Sequence, residues 1–135
     1  MALYMLDTNT ASAALRGTAG VDERLQRMDP AQWCISAVTR AELRYGLALK
    51  PEATKLAQYV EAFLQATTTA PWDQAAADSH GVLRARLRRA GTPIGDFDEM
   101  IAAHALSLDA VLVTDNTRHF QLVDGLALEN WIRNN

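Results

Sequence analysis

Short apolar runs that each stop at an acid or a turn former constrain this chain more than any other feature. Leu3-Tyr4-Met5-Leu6 stops at Asp7-Thr8-Asn9, Trp33-Cys34-Ile35 stops at Ser36, and Ala110-Val111-Leu112-Val113-Thr114 stops at Asp115. Brief apolar runs bounded in this way read as buried strands. Two further strands are expected, over residues 67–69 and 126–128.

Helical spacing fills the intervals. Asn9 or Thr10 can cap a helix over residues 11–15, which Gly17 ends, and residues 21–28 form a second. Ser36 or Thr39 can cap the helix holding residues 41–49, and Pro51 suits the first turn of the next. There, Leu56, Tyr59, Val60, Phe63 and Leu64 recur at helical spacing and form one apolar stripe. Asp73 is placed to open a long helix that stops at Gly91. Asp96 or Asp98 opens another, whose body at 100–108 is apolar on nearly every side and should be buried.

Strands alternating with helices imply right-handed crossovers and a parallel sheet between helical layers. The expected fold is three-layer α/β/α around a mostly parallel sheet of four to five strands. In such sheets the working crevice lies beyond the carboxyl ends of the strands. Asp7 and Asp115 are therefore expected to face the same crevice.

Composition narrows the function classes. At 135 residues, 49% hydrophobic and 21% charged, the chain is expected to form a single domain over 1–135 with a real core. Cys34 is the only cysteine, which excludes a disulfide framework and a cysteine-rich zinc module. No apolar run approaches the roughly 20 residues of a membrane span. The opening MALYMLDTNT lacks a basic segment and meets an acid at Asp7, so a cytoplasmic location is expected. The formal charge of −3 argues against bulk positive potential holding nucleic acid, yet eleven of the thirteen cations are arginine.

Four acids stand out: Asp7, Glu42, Asp98 and Asp115. Each alone can be read as a turn former, a helix cap or a surface residue. Together, at the rim of one crevice, they suit a different chemistry. Clustered carboxylates repel one another and require a compensating cation. An oxygen-only ligand set suits Mg²⁺ or Mn²⁺, which lowers the pKa of a bound water and offsets charge growing on a phosphate. No G-x-S-x-G, P-loop or paired Cys/His offers another nucleophile. These residues point to phosphodiester hydrolysis without a covalent intermediate.

Four segments then resemble, in order, the motifs of the PIN-domain ribonucleases, most closely the VapC toxins of type II toxin–antitoxin pairs. They are Met5-Leu6-Asp7-Thr8-Asn9, the run Ile35-Ser36-Ala37-Val38-Thr39-Arg40-Ala41-Glu42-Leu43, Pro93-Ile94-Gly95-Asp96-Phe97-Asp98 with Ile101-Ala102-Ala103-His104-Ala105, and Leu112-Val113-Thr114-Asp115-Asn116-Thr117-Arg118-His119-Phe120. The resemblance implies a PIN-like fold and a metal-dependent endoribonuclease. Asp7 and Asp98 would be the principal Mg²⁺ ligands, and Glu42 would hold a second ion or orient the attacking water. Asp115 is the candidate fourth acid, with Asn116 as the neutral alternative. Many relatives carry the acid at 116 or 119, where this chain has Asn116 and His119. Thr8, Asn9 and Thr114, with Asn116, would orient these ligands. The family also implies RNA as substrate, often tRNA, a homodimer, and silencing by a VapB-type antitoxin through which alone operator DNA would be bound.

Arg84, Arg86, Arg88 and Arg89 crowd the end of the long helix, where they complement its dipole or contact RNA phosphates together with Arg118 and His119. His104, within the apolar helix, is expected to be a structural, hydrogen-bonded histidine. Two other classes compete with the ribonuclease. One is a non-catalytic module whose acids dock a basic tail. The other, an aspartate-based phosphatase, lacks the D-x-D pattern after Asp7.

Overall fold

The computed structural model describes residues 2–133. The elements run β1 (Tyr4–Leu6), α1 (Thr8–Arg16), α2 (Val21–Gln26), β2 (Trp33–Ser36), α3 (Ala37–Leu49), α4 (Thr54–Ala66), β3 (Thr69–Ala70), α5 (Gln74–Arg89), α6 (Asp96–Ser107), β4 (Val111–Val113), α7 (Thr117–Phe120) and β5 (Leu128–Glu129), with a 3₁₀ turn at Pro30–Gln32 before β2. The five strands form one sheet in the order β3-β2-β1-β4-β5. Every pairing is parallel.

Alternation along the strands divides the core between the two faces of the sheet. Met5, Cys34 and Leu112 pack with Leu83, Leu87, Ile101, Ala102 and Ala103 of α5 and α6. Leu6, Trp33, Ile35 and Val113 pack with Ala11, Ala14, Val21, Leu25, Leu43, Val60 and Leu64 of α1 to α4. The strands are buried on both sides, which is why they read as continuous apolar runs. The expected α/β/α layering with a parallel sheet is what forms. Ala102, Ala103 and Ala105 are fully buried, as the all-apolar body of α6 requires.

Several local expectations change. Asp7, rather than Asn9 or Thr10, caps α1: its backbone is still extended, and its carboxylate accepts the Thr10 N–H at 2.8 Å. Gly17 ends that helix in the left-handed conformation, φ 69°. Pro51 lies in the turn before α4, because the Ala53 N–H closes onto the Lys50 carbonyl and the helix starts at Thr54. Tyr59 sits at the edge of its stripe and is exposed, whereas Val60 and Leu64 are buried. Gly95, at φ 108°, precedes α6 with no side-chain cap, and Asp96 instead faces Arg84 at 4.0 Å. The last strand is shifted to Leu128–Glu129, where it pairs with Leu112 and Val113.

The sheet order places the site. From β1 the chain steps to β2 and β3 on one side, then returns to β4 and β5 on the other. The carboxyl end of β1 is therefore the switch point, where a crevice opens between diverging connections. Leu6 is in register with Ile35 and Val113, so Asp7 stands level with Ser36 and Thr114.

Candidate active site

Asp7 leaves β1 at the floor of this crevice and is 5% exposed. Its N–H donates to the Val113 carbonyl at 3.0 Å, tying it across to β4. Burial pushes its carboxyl above the ordinary range, opposed by hydrogen bonds from the Thr114 hydroxyl and from Thr10, and reinforced by the charge of Asp115. Asp98 arrives half-buried on the first turn of α6. Burial raises its pKa first, then the charges of Asp7 and Glu42, with His119 acting in the opposite direction.

Glu42 arrives on the second turn of α3, which Ser36 caps by accepting the Val38 N–H at 3.0 Å. The Thr8 hydroxyl donates to Glu42 Oε1 at 2.5 Å and lies 3.3 Å from the Thr39 hydroxyl. Asp98 thus feels the charges of both Asp7 and Glu42, which reach it from separate parts of the chain. Among the described residues no group of three or more His, Cys, Asp or Glu side chains stands as a ready-made metal site.

The remaining candidates divide. Asp115 lies close enough to raise the Asp7 pKa, but its Oδ1 accepts Asn130 Nδ2 at 3.0 Å and pairs with Arg133 Nε at 2.7 Å. That carboxylate anchors the segment after β5. Thr114 bridges inward: its hydroxyl bonds Asp7, and its Oγ1 accepts the Asn116 N–H at 2.9 Å. Asn9 is on the exposed side of α1 and bonds no site acid among the described residues. Arg118 lines a polar surface cavity with Asp115, Asn116 and Arg133. Arg84, Arg86 and Arg88 are exposed on α5, and among the described residues none of them pairs with Asp7, Glu42 or Asp98.

Three supports escaped the sequence reading. Thr39, fully buried, backs Thr8. Glu99, 3% exposed, accepts the Ile94 N–H at 3.2 Å and braces the loop that delivers Asp98. Ser36 Oγ meets His104 Nδ1 at 2.7 Å, joining the start of α3 to the middle of α6. His104 is thus the hydrogen-bonded structural histidine the sequence suggests, and burial lowers its pKa. A buried Ser-His pair between apolar runs carries no local signal, since its partners lie 68 residues apart. Ser36→Ala removes both a cap and a buried partner. It is expected to cost about 1–3 kcal/mol in chemical denaturation.

Comparison with known proteins agrees with this fold. The family model of the PIN domain matches residues 4–126. The tRNA(fMet)-specific endonuclease VapC of Shigella flexneri is 39% identical, covering 97% of this chain and 99% of its own. The DNA-bound VapBC complex from Salmonella typhimurium superposes with a TM-score of 0.89 at 36% identity, over 97% of this chain and 99% of that one. VapBC2 from Rickettsia felis, bound to a promoter DNA fragment, gives 0.87 at 30% identity, over 96% and 98%. No helix among the described residues is long and apolar enough to cross a membrane. A parallel sheet with acids at its switch point, matched over nearly its whole length, places this chain in the PIN-domain family, among the VapC ribonucleases.

Proposed function

We propose that this chain, as a single PIN domain, is a cytoplasmic endoribonuclease toxin that hydrolyses RNA phosphodiesters at the cluster of Asp7, Glu42 and Asp98. The charges that converge on Asp98 carry the reading: its pKa is raised by Asp7 and by Glu42, which come from different parts of the chain. Such an arrangement costs stability and is retained where chemistry requires it.

The donor set fits Mg²⁺ or Mn²⁺, hard ions that take one or two carboxylates and complete their shell with water. Asp7 and Asp98 would hold the ion and Glu42 would face it. When bound, it supplies an acidified water and offsets charge on the phosphate. The protein's own contribution is positioning. Thr114 and the Thr10 N–H fix the Asp7 carboxylate, and Thr8, backed by Thr39, fixes one oxygen of Glu42. Asp115, tied to Asn130 and Arg133, contributes charge to the pocket rather than a free ligand oxygen. Exposed Arg118 stands by the same rim, where an arginine suits phosphate contact.

Initiator tRNA is the substrate to test first, because the similar Shigella flexneri protein is a tRNA(fMet)-specific endonuclease. Silencing by a VapB-type antitoxin, with operator DNA bound through the antitoxin, follows the VapBC complexes that share this fold. The toxin is expected to act as a homodimer. Purified protein with Mg²⁺ should cut an initiator tRNA transcript at a defined position. Co-purified antitoxin should suppress the cut. A transcript left whole, together with unbroken total tRNA, overturns the reading.

A further inference from the structure

RNA brings phosphates toward a site whose floor is negative, so its approach depends on donors at the rim. His119 is one, and its orientation is set. The imidazole is exposed, and its Nδ1 lies 2.9 Å from Asn116 Nδ2. Facing that amide nitrogen, Nδ1 serves as the acceptor and Nε2 as the donor of the ring. Asn116 is itself fixed, its N–H on Thr114 Oγ1 at 2.9 Å, and the Thr114 hydroxyl reaches Asp7. The buried Phe120 side chain pins α7 beneath. His119 also lies close enough to Asp98 to act on its carboxyl. Asp7, Thr114, Asn116 and His119 thus form a linked series that leads outward from the acids. It ends in a ring N–H that no residue among those described uses.

We infer that His119 contacts the substrate, donating Nε2–H to a non-bridging phosphate oxygen of RNA seated beside Asp98, with Asn116 as the residue that aims it. This rests on the ribonuclease reading above. A donor held in one orientation sets the register of the phosphate, and phosphate contacts of this kind position a backbone rather than read its sequence.

The test uses purified protein and an initiator tRNA transcript. His119→Ala is expected to lower kcat/KM by about 10–100-fold, the usual range for a hydrogen bond to a charged group, with most of the loss in KM. His119→Gln keeps an N–H near the ε position and should recover most of the loss. Asn116→Ala should lose several-fold alone and little more when added to His119→Ala, since the two act as one unit. Transcript binding, measured on the uncleaving Asp7→Asn protein, should weaken by the same factor when His119→Ala is added. His119→Ala with unchanged kinetics and binding, or His119→Gln no better than His119→Ala, overturns the assignment while leaving the ribonuclease intact. Wild-type protein that cuts neither this transcript nor total tRNA overturns the ribonuclease reading instead, and the binding comparison still decides His119.

Discussion

Asp7→Asn is expected to abolish RNA cleavage, by about 10³-fold or more, while raising the melting temperature at neutral pH. The first effect follows from removing the most buried donor of the acidic cluster, on the scale of several kcal/mol of transition-state charge stabilisation. The second follows from burial. Asp7 and Asp98 both ionise above their ordinary range in the folded protein, so the fold binds those protons more tightly than the unfolded chain does. The stability their protonated forms contribute is present below the ordinary carboxylate pKa, about 4, and is lost as pH rises through the raised values. At pH 7 in EDTA the burial that raises both pKa values is a net cost, which asparagine relieves at one position. Asparagine can still cap α1 through its carbonyl oxygen. The expected gain is about 0.5–2 kcal/mol, the range common for a single stabilising substitution. It should shrink as pH falls toward 4. Calorimetry across pH checks this, and an Asp7→Asn protein that is destabilised at pH 7, or still cleaves RNA, contradicts the assignment.

Metal removal should have an equally large effect. EDTA is expected to stop cleavage completely, and Mg²⁺ or Mn²⁺ in excess to restore it. The same ions should stabilise the fold, because binding to the folded state alone adds about 2.7 kcal/mol at a hundredfold excess over Kd. Asp7→Asn and Asp98→Asn should each blunt that rise in melting temperature. This thermal readout is independent of any RNA. Cleavage indifferent to EDTA, or melting temperatures that ignore the ions in wild-type and variants alike, would rule out the hard-cation account.

Much of this was readable along the chain, for reasons that particular residues make clear. A strand buried on both faces must be apolar throughout, so Asp7 is conspicuous where β1 ends. Glu42 and Asp98 are conspicuous only with the motifs around them, since an acid in an early helical turn is otherwise ordinary. Asp115 was legible as a strand-end acid but not as the partner of Arg133 and Asn130. Its role is set by a segment that returns from the last strand.

Local patterning by itself determined the alternation of strands and helices, the parallel sheet, and the acids at its carboxyl edge, because periodicity and turn chemistry act over a few residues. Tertiary structure alone decided which groups meet: Thr8 with Glu42 across 34 residues, Ser36 with His104 across 68, and Asp98 with the field of Asp7 and Glu42. Those pairings depend on strand order and register, which close long loops. No short window of side chains encodes the distance between the groups that such a loop brings together.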